Sequence, residues 1–143
     1  MLKDEPEPVE LQISEEKLFY IIVKAREFDA KVPPVEPHSG SNAADDGEGE
    51  ILEDFADDPT AEELRAAIDQ LTDDEVVDLI AITWVGRGDF DRAGFAEARS
   101  TALERHRRRS SKYLMGIPNL GDCLEEGLAE LGHSVEDYGM GRL

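Results

Sequence analysis

LTDDEVVDLIAITWVGRGD, residues 71–89, is the stretch that decides the fold. Between residues 76 and 85 only Asp78 and Thr83 are polar. A helix that is apolar on nearly all sides is buried among other elements, because no face of it tolerates water. The stretch therefore predicts a central core helix over about residues 73–85, which carries the single tryptophan, Trp84, into the interior.

The ends of this helix have sequence signals of their own. Thr72 followed by Glu75 is a capping-box pattern, in which each side chain can bond the backbone N–H of the other residue. Thr60 with Glu63 has the same spacing, and Pro59 or Thr60 is predicted to open the preceding helix. Gly86 is predicted as the terminating residue, since glycine adopts the left-handed conformation that ends many helices.

Helical spacing of apolar residues continues on both sides of the centre. Ser14 is predicted to cap the first helix, which should end before Val32 and Pro33 because a residue that precedes proline avoids the helical region. The predicted helices cover about residues 15–31, 51–55, 60–71, 73–85, 91–115 and 120–131. Alternation typical of strands is missing from the sequence. We expect an all-α fold, a single-domain bundle of five or six helices around the 73–85 helix.

The domain organisation follows from composition. Residues 1–10 combine four acids with two prolines and predict a mobile acidic tail, because such a segment cannot bury enough apolar surface to offset its ordering entropy. One helical domain is predicted over residues 11–138, with a long irregular loop at 32–49 that is rich in proline and glycine. Residues 139–143 are predicted to fray.

Composition also restricts the function. The chain has 143 residues, of which 34 are acidic and 15 are Lys or Arg, and its net charge is −19. Nucleic acids and anionic membranes repel such a protein. The single cysteine, Cys123, cannot form an internal disulfide and indicates a reducing compartment. With no apolar run long enough for a membrane span and no apolar leader at the N-terminus, the sequence predicts a cytoplasmic protein.

Several further stretches accompany the central one: KAREFDAK (24–31), SNAADD (41–46), LEDFADDP (52–59), KYLMGIP (112–118) and LEEGLAELGHS (124–134). Together with LTDDEVVDLIAITWVGRGD they resemble a family of small acidic bacterial proteins that is known only as a domain of unknown function. The resemblance extends over about residues 11–137. It implies a small, mostly helical cytosolic protein, and it implies no activity, cofactor or catalytic residue.

The charges are distributed unevenly along the chain. Residues 45–78 hold 15 acids and one base, Arg65, whereas residues 92–112 hold seven bases and two acids. The densest basic run is a candidate patch for phosphate or nucleic acid, and its members are Arg105, Arg107, Arg108, Arg109 and Lys112. Two structural interpretations compete, since basic residues also stabilise a helix C-terminus and can dock against acids of the same chain or of a second subunit.

Other candidate sites have weaker patterns. Gly47 at the sixth position of an EF-hand-like loop puts Glu53 at the twelfth, but Ala44 at the third supplies no oxygen ligand. Cys123 and His133 could form a nucleophilic pair only if the fold brought them together. Carboxylates on the last helix could act as acid and base, but exposed acids there are the simpler interpretation, and they are Asp122, Glu125 and Glu126. We therefore assign no catalytic, cofactor or metal residue.

Three functional hypotheses remain. The first is a non-enzymatic interaction or regulatory module whose acidic surface binds a basic surface of another protein or a second copy of the chain as a homodimer. The alternative is phosphate or nucleic-acid binding through residues 105–112, which the net charge makes unfavourable. The third is a metal-dependent enzyme that uses the loop carboxylates.

Overall fold

The computed structural model describes residues 8–31, 58–105 and 110–133. Within these ranges the chain forms six α-helices, one short 3₁₀ turn at Arg92–Gly94 and no strand, which confirms the all-α prediction. The helices are α1 (Glu15–Lys31), α2 (Pro59–Asp69), α3 (Asp73–Arg87), α4 (Phe95–Arg105), α5 (Ser110–Met115) and α6 (Leu120–Glu130).

The central helix is α3, as the sequence predicts. Every residue from Val76 to Val85 is buried. Trp84 is 5% exposed, its ring stacks on that of Phe90 with centroids 5.8 Å apart, and its indole N–H donates to the Tyr113 hydroxyl at 2.8 Å. This helix is buried on nearly all sides because α6, α4 and the segment before α1 all contact it.

The helices α1 and α2 lie side by side and antiparallel. Lys31 at the end of α1 pairs with Asp58 just before α2, whereas Lys24 in the middle of α1 pairs with Glu63. Later residues of α2 therefore contact earlier residues of α1, which defines the antiparallel arrangement. The opposite side of α1 packs against α6, so α1 links the two outer helices of the bundle.

Two of the predicted helix caps are confirmed, and the capping box predicted for Thr60 with Glu63 is wrong, although α2 does begin at Pro59, one of its two predicted first residues. The Ser14 hydroxyl accepts from the backbone N–H of Lys17 at 3.2 Å, and both bonds of the Thr72 capping box form. The start of α2 is capped by Asp58, whose carboxylate accepts from the N–H of Thr60 at 2.8 Å. Proline at the first helical position of α2 requires the cap to lie immediately before it, which excludes the predicted Thr60 cap.

The predicted end of the central helix at Gly86 is also wrong. The left-handed residue is Gly88, with φ 95°, and α3 continues to Arg87. Gly86 is instead a contact residue, because a Cβ there would overlap the backbone carbonyl of Cys123 in α6. A Cβ on Gly127 would likewise overlap the carbonyl of Ile82 in α3. These two glycines let α3 and α6 pack backbone against backbone.

The segment before α1 crosses the bundle next to α3 and α6. Val9 donates its N–H to the carbonyl of Leu131 at 2.9 Å, and the His133 ring lies 2.7 Å from the carbonyl oxygen of Val9. Ile13 is 4% exposed and belongs to the core. The N-terminal segment is therefore attached to the C-terminal end of α6.

Several sequence predictions lie outside the described residues. They concern residues 1–7 of the acidic tail, the loop at 32–49, the short helix at 51–55 and the C-terminal end at 139–143. The single helix predicted over about 91–115 is replaced in the described residues by the 3₁₀ turn, α4 and α5, the last two lying on either side of residues 106–109. Asp91 caps the 3₁₀ turn through Gly94 N–H at 2.8 Å.

Candidate functional site

The predicted basic patch is only partly described. Arg105, at the end of α4, and Lys112, in α5, are exposed, and neither forms an ion pair within the described parts of the chain. Arg107, Arg108 and Arg109 lie outside those parts. A phosphate site at residues 105–112 therefore stays a prediction.

Each cation of α1 is paired with a carboxylate from another part of the bundle. Lys24 lies 2.6 Å from Glu63 and 3.5 Å from Glu27, and the bond to Glu63 raises the pKa of the lysine. The remaining pairs are Lys17 with Glu75 at 2.8 Å, Lys31 with Asp58 at 2.8 Å, and Arg26 with Glu125 and Asp122 of α6. The positive charges of α1 are therefore neutralised within the bundle.

Acidic side chains of α2 and of the start of α3 remain exposed to solvent. We call them the anionic face: Glu62, Asp69, Asp73 and Asp74. Arg65 is the single base on α2. Asp73 and Asp74 occupy the first turn of α3, where the helix macrodipole favours negative charge. This surface presents several carboxylates at fixed positions on two rigid helices.

One carboxylate is buried in the middle of the core. Asp78 on α3 has no solvent exposure, and its Oδ1 lies 2.8 Å from Nε of Arg99 on α4. The other oxygen accepts the backbone N–H groups of Gln12 and Ile13, the latter at 3.3 Å. Burial raises the pKa of the Asp78 carboxyl, while the N–H of Gln12 and the Arg99 guanidinium act in the opposite direction. Asp78 thus connects the N-terminal segment, α3 and α4.

This cluster was not predicted from the sequence. A lone aspartate inside an apolar helix was the available signal, because buried charges are almost always paired. Gln12 and Ile13 lie 66 and 65 residues before Asp78, and Arg99 lies on the next helix after it. Spacing along the chain therefore does not identify these partners. The geometry fits a structural connection, since the fully enclosed carboxylate accepts two backbone N–H groups and forms an ion pair with Arg99.

The carboxylates and the thiol near α6 serve helix packing. Asp29 of α1 accepts the N–H of Gly121 at 3.0 Å and so caps α6, and burial raises the pKa of this carboxyl. Burial also raises the pKa of the Cys123 thiol, which keeps it protonated. Cys123 lies in the first turn of α6 and His133 beyond its far end, about 15 Å apart at 1.5 Å per residue. The Cys–His pair is therefore not formed.

The described residues contain no group of three or more His, Cys, Asp or Glu side chains that could hold a metal ion. The loop carboxylates considered for a cation site, residues 42–53, lie outside those residues. Among the helices that the structure describes, none has both the length and the apolarity needed to cross a bilayer.

The Glu75 carboxylate gives the folded protein a specific pH dependence. The bond from Lys17 and the N–H of Thr72 lower the pKa of Glu75 below its ordinary value of 4.5. Its contribution to stability is therefore complete above about pH 4.5 and is lost as the pH falls through the lower folded value. We expect Glu75→Gln to lower the free energy of unfolding by about 0.5–1 kcal/mol at pH 7, because glutamine keeps the capping-box bond but loses the ion pair with Lys17 and the favourable interaction with the helix macrodipole.

Urea denaturation at a series of pH values checks this expectation. The difference between the wild type and Glu75→Gln should shrink steadily below pH 4.5. Glu126→Gln, at an exposed position in the middle of α6, is the matched control and should show no such trend. A difference that stays constant down to pH 3 would contradict the proposed role of the Glu75 charge.

Comparison with known proteins agrees with the sequence resemblance. A family model described as "Protein of unknown function (DUF3775)" matches residues 61–133, just over half of the chain. The matched part runs from α2 to the end of α6 and includes the central stretch 71–89, whereas α1 and the segment before it lie outside it. Searches of curated proteins and of solved structures gave no match. The chain belongs to the DUF3775 family, whose function is unknown.

Proposed function

We propose that the protein is a non-enzymatic interaction module that binds a basic surface of a partner protein through the anionic face. One observation carries this proposal. The cations of α1 are already paired with carboxylates, so they do not neutralise the four acids of the anionic face, which outnumber the single base of α2, Arg65. A partner with exposed lysines or arginines would neutralise the excess negative charge of this surface.

The net charge of the chain supports the same function. At −19, the protein attracts cationic surfaces and repels anionic ones over the Debye length of about 8 Å at physiological salt. Complementary charge of this kind speeds association and selects among partners more than it adds affinity. A second copy of the chain carries the same charge, so a homodimer through this face is disfavoured.

Charge reversal at the anionic face tests the proposal. The tagged protein would be used to capture partners from an extract of its own cells, in parallel with the triple variant Glu62→Lys, Asp69→Lys and Asp74→Lys. The matched control reverses three exposed acids on α4 and α6 and has the same net charge: Glu97→Lys, Glu126→Lys and Glu130→Lys.

A partner with a basic surface that is captured by the wild type and the control, but lost with the anionic-face variant, supports the proposal. Equal capture by all three proteins, or loss with both variants, would reject the anionic face as the binding surface. Circular dichroism verifies that each variant is folded.

The alternative function is phosphate or nucleic-acid binding through residues 105–112, and it predicts that the protein binds DNA or RNA. The net charge of the chain predicts the opposite result. Because the whole chain is strongly negative, we expect no binding of duplex DNA or RNA at about 0.15 M salt. A gel shift with micromolar, salt-dependent binding that is abolished by Arg105→Glu with Lys112→Glu would support the alternative and contradict the expectation.

A cytoplasmic location belongs to the same proposal. It is supported by the single cysteine, Cys123, whose thiol is free, as is typical of proteins in reducing compartments. Fractionation of cells that contain the tagged protein would test the location directly.

A further inference from the structure

An open groove runs between α1 and α2 on the side of these helices that faces solvent. Its volume is about 510 Å³, and its surface is formed largely by apolar side chains: Tyr20, Ile21, Ala66, Ala67 and Leu71. Tyr20 is 44% exposed, and within the described residues only Leu103 on α4 is a large apolar side chain exposed to this degree. An apolar groove with an exposed aromatic ring is typical of a protein-binding surface.

The dimensions of the groove fit one face of a helix. It extends from Glu63 in α2 to Leu71, two residues past the end of that helix, which corresponds to about two helical turns. A partner helix presents two or three apolar side chains over that length, at positions i, i+3 or i+4, and i+7. The small side chains of Ala66 and Ala67 leave room for a third helix to approach closely.

Acidic residues border the groove. Ala66 has Glu62 four residues before it and Asp69 three residues after it, so both acids lie beside it on the helix surface. Glu16 and Glu63 belong to the lining itself. In this lining Lys17 is bonded to Glu75 and Glu63 is bonded to Lys24, so the charges of these pairs balance one another. Arg65 lies three residues after Glu62 and four residues before Asp69, so these three side chains together carry one net negative charge on the side of the anionic face.

We infer that the groove between α1 and α2 binds an amphipathic helix of a partner protein, with apolar side chains against Tyr20 and Leu71 and with lysines or arginines beside Glu62 and Asp69. This inference rests on the proposed function and specifies its partner. A second copy of the chain does not fit, because it would place like charges against this border.

The probe for the test is a helical peptide of about 18 residues, long enough to form stable helix on binding. It carries leucines on one face and lysines on the flanking positions, and a matched peptide has glutamate in place of every lysine. Binding to the full chain is measured by NMR, which reports both the affinity and the amides that shift.

We expect the lysine peptide to bind with shifts confined to α1 and α2, and the glutamate peptide not to bind. Tyr20→Ser and Ala66→Arg should weaken binding at least about tenfold, since anchors at the centre of an interface dominate affinity. Both positions are exposed, so both variants should fold. Leu103→Ser, which removes the other exposed apolar side chain, is the matched control and should bind like the wild type.

Three results would overturn the inference. The first is equal binding of both peptides or of neither. The second is self-association of the wild type that Ala66→Arg abolishes, which would make a second copy the occupant. The third is binding of the lysine peptide to the anionic face with no shifts at Tyr20 and no effect of Tyr20→Ser, which would leave the proposed function intact while the groove is rejected.

Discussion

Replacing Asp78 with alanine is expected to lower the free energy of unfolding by about 3–5 kcal/mol, the usual cost of removing one partner from a buried ion pair. The alanine leaves Arg99 facing the core without its carboxylate, and it leaves the N–H groups of Gln12 and Ile13 without an acceptor. The Asp78 carboxylate is fully enclosed and Nε of Arg99 is buried, so the bonds lost there are not simply replaced by bonds to water.

Urea denaturation measures the loss, and two further variants separate its causes. Asp78→Asn keeps an oxygen for the backbone N–H groups and should cost less than alanine. Asp78→Leu with Arg99→Met removes both charges and should also cost less than Asp78→Ala alone, because no unpaired charge stays in the interior. Faster amide exchange at Gln12 and Ile13 should accompany every variant that lacks the carboxylate. A loss under about 1 kcal/mol for Asp78→Ala would contradict the role given to this residue.

Gly86→Ala is expected to destabilise the protein by about 3 kcal/mol or more, at or above the upper end of the usual range for overpacking. A Cβ at this position would overlap the Cys123 carbonyl and lie 2.9 Å from the backbone nitrogen of Gly127. Backbone atoms of a neighbouring helix cannot rotate away as a side chain can, so α3 and α6 would have to separate. At an ordinary helical position the same change would stabilise the helix by about 1 kcal/mol, so the sign of the effect is diagnostic.

The matched control for this variant is Gly94→Ala. Its Cβ would meet only side chains, those of Asp91 and Phe90, at 3.4 Å, which is an ordinary contact distance. Thermal unfolding of the two variants beside the wild type should show a large decrease in Tm for Gly86→Ala and a small change for Gly94→Ala. Equal Tm values for the wild type and Gly86→Ala would show that α3 and α6 are not packed as closely as described.

Local signals were sufficient for the central part of the fold. The apolar run between Val76 and Val85 specified the core helix, and Thr72 with Glu75 specified its start, because both features depend on residues close in sequence. The cap of α2 was also within reach of the sequence, since Pro59 at the first helical position indicates that the residue before it, Asp58, is the cap.

Features that depend on distant contacts could not be predicted. Gly86 and Gly88 are both suitable helix terminators, and only the approach of Cys123 from α6 makes Gly86 a packing residue and leaves Gly88 to end the helix. The acids of the anionic face were visible in the sequence. Their excess over the bases became clear only when the antiparallel arrangement of α1 and α2 paired Lys24 with Glu63 and Lys31 with Asp58.

The most direct test of the central claim, that the acidic surface binds a basic partner, is the salt dependence of binding between the wild-type protein and the lysine-flanked helical peptide. Between about 0.1 and 1 M salt the Debye length falls from about 10 to 3 Å, which screens exposed charges from one another. We expect the affinity to fall at least about tenfold over this range. An affinity that stays constant or increases with salt would show that apolar contact alone drives binding, and it would contradict the claim.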